Sequence, residues 1–98
     1  MRAIIFNAKA RKDLFDIWEY IAVDSVDVAD RILRRIEDEV SKLVAMPGMG
    51  HKRADVADPR LTFWTVRPYV IVYRHTRRTI YVIRVIHGAR DFRRIFRK

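Results

Sequence analysis

Apolar residues recur along this chain in two rhythms, and the rhythm changes once. Arg2–Phe6 is a short β-branched run that predicts a first strand. From Lys9 to Val23, apolar residues fall at three- and four-residue steps (Ala10, Leu14, Ile17, Trp18, Ile21, Ala22), which predicts an amphipathic helix with Asn7 as its cap. Trp18 lies on that stripe and is expected in the core. Asp24-Ser25 interrupts the pattern. Ser25 is then a fitting cap for a second helix running to about Ala45, with Val28, Ala29, Ile32, Leu33, Ile36, Val40, Leu43 and Val44 at helical spacing. Asp27 and Asp30 near its start suit the positive end of the helix dipole. So short a link makes the two helices antiparallel neighbours.

Met46-Pro47-Gly48-Met49-Gly50 ends the second helix, and a polar loop follows to Pro59. The period then drops to two. Arg60–Val66, Tyr69–His75 and Thr79–His87 are β-rich and separated by short turns, so each strand is expected to lie antiparallel to the next. The last strand is apolar on both faces except for Arg84, as a central strand covered on both sides would be. Strict alternation places Ile80, Val82, Arg84 and Ile86 on one face and Tyr81, Ile83, Val85 and His87 on the other. Gly88 allows a sharp turn with unusual dihedral angles. The basic tail carries Phe92, Ile95 and Phe96 at positions that would pack a last helical turn or two against the sheet. The expected fold is α+β in two layers, β-α-α-β-β-β-α: a single domain over 1–98, with a helical hairpin on a mostly antiparallel sheet. The first strand must pair somewhere, and the last strand is its natural neighbour.

Charge sharpens this picture. The 98 residues carry a net charge of +9. The first fifty hold eight basic and nine acidic residues; the remaining forty-eight hold thirteen and three, a net of +10. A basic half on a neutral half points to an acidic partner, nucleic acid or an acidic protein segment. No cysteine is present, which excludes disulfides, thiolate nucleophiles and cysteine-based zinc sites. The three histidines show no metal-ligand spacing, and neither a metal nor another cofactor is expected. The opening apolar run is too short for a signal peptide, and no run approaches the ~20 apolar residues of a membrane span, so a cytoplasmic protein is expected.

Arg84 in the middle of a strand needs a partner, because an unpaired desolvated guanidinium is costly. It must pair with a carboxylate or face an anionic ligand. His87 and Arg90 flank Gly88, and Arg60 is expected near the same strand end. Histidine and arginine beside a groove are groups a metal-free ribonuclease would use for proton transfer and phosphate stabilisation. Serine-hydrolase, P-loop and zinc-protease motifs are absent.

The segments DLFDIWEYIA, LVAMPGMG, YVIVYR and RVIHGARDF together resemble the ParE branch of the ParE/RelE superfamily of toxins from type II toxin–antitoxin systems. The resemblance spans nearly the whole chain in the right order. The RelE branch cuts mRNA on the ribosome. It uses an arginine directly after the tyrosine of the third strand, an arginine soon after the glycine ending the last strand, a tyrosine near the C-terminus, and lysines on the second strand. Here Tyr69 is followed by Val70, Arg90 matches the second arginine, the tyrosine position falls at Phe96, and the second strand, RLTFWTV, has no lysine. The resemblance therefore implies a non-enzymatic toxin that poisons DNA gyrase. It would be neutralised by a ParD-like antitoxin, whose acidic tail wraps the toxin and whose DNA-binding domain contacts DNA indirectly for the pair. The residues expected to meet the target are Arg60, Arg84, His87, Arg90, Arg93, Arg94, Arg97 and Lys98. Trp64, Tyr69 and Tyr73 are expected to meet the antitoxin. The alternatives are a ribosome-dependent mRNA endonuclease using Arg84, His87 and Arg90, and a non-toxic basic nucleic-acid-binding module.

Overall fold

A computed structural model describes residues 2–96. Its elements follow the expected order: β1 Ala3–Phe6, α1 Ala8–Ala22, α2 Val26–Ala45, β2 Thr62–Val66, β3 Tyr69–His75, β4 Thr79–His87 and α3 Gly88–Phe96, with a short 3-10 turn over Pro47–Met49. Both predicted caps are made. The Asn7 side chain accepts from the Ala10 N–H at 2.9 Å, and Ser25 Oγ accepts from the Val28 N–H at 3.2 Å. β2 begins at Thr62 rather than Arg60, because residues 58–61 form a turn. The Asp58 carboxylate accepts from the Arg60 N–H at 2.9 Å, and the Asp58 carbonyl accepts from the Leu61 N–H.

The sheet order is β1-β4-β3-β2. β2–β3 and β3–β4 are antiparallel, and β1 lies parallel to β4, opposite Thr79–Val82. β4 is thus central over its first half. One face of the sheet packs on the helical hairpin through Ile36, Val40, Leu43, Val66, Ile71, Tyr73, Ile80, Val82 and Val85. The other face is covered in part by α3, around Val56, Phe63, Val72, Ile86 and Phe92. The apolar character of β4 on both sides follows from these two cores.

Strict alternation along β4 does not hold. Val72 faces Arg84 and Tyr73 faces Val82, so Ile83 has no counterpart on β3. This β-bulge resets the facing of the strand. Val82 and Val85 both enter the hairpin-side core, while Ile86 enters the core under α3, away from the face it was expected to share with Val82 and Arg84. Gly88 also differs from expectation, since no glycine among the described residues has a positive φ. Its lack of a side chain serves close approach: a Cβ there would lie 3.0 Å from Val70 Cγ2. Trp18 is half-buried at the outer part of the hairpin rather than in the core. Its Nε1 donates to Asp30 Oδ1 at 2.8 Å and fastens α1 to α2.

Candidate functional site

β1 stops opposite Val82, so from Ile83 onward the outer edge of β4 has no strand beside it among the described residues. α1 and the start of α3 flank this bare edge. Between them opens a cleft of about 570 Å³ lined by Lys9, Lys12, Asp13, Asp16, Ile17, Arg84, Val85, His87, Arg90, Asp91 and Arg94.

Its floor is an ion pair. Arg84 Nε and Nη2 donate to the two Asp13 carboxylate oxygens at 2.7 and 2.9 Å, and Asp13 Oδ2 also accepts the Val85 N–H at 3.0 Å. Asp13 therefore neutralises the arginine and satisfies a backbone donor on the open strand edge. The hydrogen bonds that Arg84 donates to Asp13 hold it firmly protonated, above its ordinary pKa. Of the two fates open to Arg84, the carboxylate partner is the one realised.

The rim is cationic. Arg90 and Arg94 share Asp91 Oδ1 at 3.3 and 3.4 Å, and their side chains stay 65% and 71% exposed, so both remain available to a ligand. Burial opposes ionisation of Asp91, but hydrogen bonds from the two arginines and the His87 backbone outweigh it and hold the carboxyl below its usual range. Lys12 pairs with Asp16 at 2.8 Å along α1. Lys9 forms no ion pair among the described residues. Five cations against three carboxylates leave the cleft positive, suited to a carboxylate- or phosphate-bearing partner. His87 stands at the N-cap of α3: its Nδ1 accepts the Arg90 N–H at 3.2 Å, and its ring meets Tyr69 edge-on at 6.0 Å. Only Nε2 is left to exchange a proton, and the ring's other nitrogen is committed to positioning Arg90.

The cleft gathers Arg84, His87, Arg90 and Arg94 from the residues expected to meet the target. Arg93 is exposed on α3 but does not line it. Arg97 and Lys98 fall outside the described residues. Arg60 is elsewhere. It precedes β2 at the far end of the sheet and is held by Asp58, whose carboxyl Arg60 brings down to about 2. The β2–β3 register explains this: Val66, not Thr62, sits beside Tyr69 and so at the His87 end. The three residues expected to meet the antitoxin differ in burial. Tyr73 is fully buried, donating to the Pro47 carbonyl at 2.6 Å and accepting the Gly50 N–H at 3.1 Å. Tyr69 is buried too, and burial raises its pKa. Both are core residues offering little surface to a partner. Trp64 is half-buried, with Nε1 donating to Glu39 Oε1 at 2.9 Å. Phe96 packs against Phe63 and Phe92, at 5.6 and 5.3 Å, in the core beneath α3.

Lys9, Lys12, Asp13 and Asp16 are cleft residues that sequence reasoning did not single out. Their only signal was the polar flank of the α1 stripe and the unmet need of Arg84 for a carboxylate. Among the described residues, no three His, Asp or Glu side chains come together to hold a metal ion, and no helix is long and apolar enough to cross a membrane.

The profile of the ParE toxin of the type II toxin–antitoxin system parDE matches residues 4–92. The chain belongs to the ParE toxin family. Toxin ParE3 of Caulobacter vibrioides is 32% identical over 65 residues, a match spanning 66% of this chain and 64% of that protein, just under two thirds of its length. In fold, the chain is similar to a protein of the chromosomal ParDE toxin–antitoxin system of P. aeruginosa, with a TM-score of 0.73 and 21% identity over 89% of this chain and 96% of the other. It also resembles a chain of the E. coli DinJ–YafQ complex, with a TM-score of 0.61 and 12% identity over 94% and 99% of the two chains. The α+β architecture expected from the sequence is shared with both of these structures.

Proposed function

We propose that this ParE toxin acts by binding, with the cationic cleft as its contact to DNA gyrase, and that a ParD-like antitoxin neutralises it. The observation that carries this reading is the composition of the cleft. Arg90, Arg94 and Lys9 present exposed charge, while the groups best placed for chemistry are already committed: Arg84 to Asp13, and His87 Nδ1 to the α3 backbone. At the C-terminal position where a ribonuclease of the wider superfamily would place a tyrosine, Phe96 is a packing residue. A charged cleft of this kind recognises a surface without transforming it. An acidic antitoxin tail would compete for the same cations.

Purified protein should inhibit gyrase supercoiling at micromolar concentration and leave ribosome-bound mRNA intact. Unchanged supercoiling, or cuts in translated mRNA by primer extension, would contradict the proposal.

A further inference from the structure

The basic character of the C-terminal half is not used up by the cleft. Between Asp58 and Asp91 the sequence holds seven arginines and no acidic residue. Three of them, Arg74, Arg77 and Arg78, gather at the β3–β4 turn, at the end of the sheet opposite the cleft. We propose that this turn is a second binding site, for the phosphodiester backbone of duplex DNA.

The turn is built to present charge. Thr76 N–H donates to the Thr79 carbonyl at 2.9 Å, and Thr76 Oγ1 accepts from the N–H groups of Arg78 and Thr79 at 3.3 and 3.1 Å. From the other side Arg2 anchors it, with Nε donating to the Thr76 carbonyl at 3.1 Å and Nη1 to the Val44 carbonyl at 3.0 Å. The main chain at the tip is thus held, and a fourth cation is added at its base. Arg77 and Arg78 are exposed and form no ion pair among the described residues. Asp58, whose carboxylate feels Arg74, is already occupied by Arg60 through two side-chain hydrogen bonds. Exposed arginines on a held main chain, with no ion pair among the described residues, suit phosphate contact.

Two features favour a duplex backbone over other acidic partners. The tip residues Thr76, Arg77 and Arg78 are all polar and exposed, giving an amphipathic acidic tail no apolar surface to bury. Of the rings near the turn, Tyr81 already carries the Arg74 guanidinium 4.1 Å from its centroid and His75 lies against Tyr73 at 6.3 Å, which leaves little free platform for an unstacked base. None of the tip side chains is an Asn or Gln able to read adenine, which makes the contact one of position rather than sequence.

Fluorescence anisotropy with a random-sequence 20-bp duplex, across a salt series, tests the site without reference to gyrase, so its outcome stands apart from that of the proposed function. Two variants removing equal charge are compared: Arg77→Ala/Arg78→Ala at the turn and Arg31→Ala/Arg34→Ala on α2. Each neutralised phosphate contributes about 0.9 to the slope of log K against log salt. The turn pair should lower the slope by about 2 and the helix pair by less than about 0.5. Adding Arg74→Ala to the turn pair should remove about one more unit. Equal losses in the two pairs would reduce the effect to diffuse net charge and overturn the proposal. So would tighter binding of a single-stranded 20-mer, or loss of polyglutamate binding in the turn pair with its DNA slope unchanged. Arg77 and Arg78 form no ion pair among the described residues, and circular dichroism of each variant checks that the fold is retained.

Discussion

Asp13 and Arg84 lie 71 residues apart and meet through two hydrogen bonds, at 2.7 and 2.9 Å, with their side chains only 14% and 21% exposed. This pair joins α1 to the bulged half of β4 and forms the floor of the cleft. Removing one partner leaves the other charge largely out of water, which costs more than the pair itself contributes. Asp13→Ala should therefore destabilise the fold by about 2–4 kcal/mol in urea titration, and Arg84→Ala by about as much. The double variant should cost less than the sum of the two, giving a coupling of about 1–3 kcal/mol. Strict additivity would show that the pair is only a surface contact.

Close packing makes a second claim at Gly50. A Cβ there would lie 2.5 Å from the Tyr73 hydroxyl, 2.6 Å from Thr62 Cγ2 and 2.9 Å from the Phe63 carbonyl oxygen. Two of these neighbours are buried side chains and one is backbone, so none can yield cheaply. Gly50→Ala should cost about 1–3 kcal/mol. Gly88→Ala should cost less, since its nearest obstacle is the half-buried Val70 side chain at 3.0 Å. Tyr73→Phe should cost about 1–3 kcal/mol, by stranding the Gly50 N–H and the Pro47 carbonyl. Thermal melts of the three variants check the order; Gly88→Ala falling below Gly50→Ala would overturn it.

Stability should fall in acid. Asp58 is brought down to about 2 by hydrogen bonds from the Arg60 side chain and backbone. Glu39 is lowered by Lys42 and then by Trp64, and Asp91 by its arginines against the effect of burial. A carboxyl depressed in the folded state stabilises the fold above its unfolded value of about 4, and that stabilisation is lost as pH falls through the folded value. The urea midpoint should therefore drop between about pH 4 and pH 2, and Asp58→Asn should flatten part of that limb. A midpoint that rises over the same range would contradict these assignments.

Much of the architecture was written locally. Asn7 and Ser25 cap the helices they precede, and the Pro47-Gly48 break ends α2 where the pattern stops. Long-range pairing was far less legible. Nothing in TIYVIRVIH marks Ile83 as the unpaired residue, because a bulge inserts one apolar position into an apolar run and leaves composition unchanged. The face assigned to Ile86 failed for that reason. Arg84 announced its need for a carboxylate, but α1 offered Asp13, Asp16 and Glu19 with nothing to choose among them. Arg60 was expected at the His87 end of the sheet, yet it lies at the other end, held by a carboxylate two residues upstream. Tyr73 was expected to meet the antitoxin; its hydroxyl bridges the Pro47 carbonyl and the Gly50 N–H from inside the core. Half of the cleft was visible in RVIHGARD. The other half, on α1, depends on how far β1 runs along β4, which is a property of the sheet and not of either strand.

The central claim is that the cleft at the bare edge of β4 carries toxicity through the charges on its rim. The most direct measurement is growth of a bacterial host expressing the wild type or the triple variant Lys9→Ala/Arg90→Ala/Arg94→Ala, with folded protein matched by circular dichroism and immunoblot. These side chains are exposed and leave the Asp13–Arg84 floor in place. The wild type should arrest growth, and the triple variant should restore growth to near that of the empty vector. Arrest by the triple variant at the wild-type level, with equal folded protein, would contradict the account.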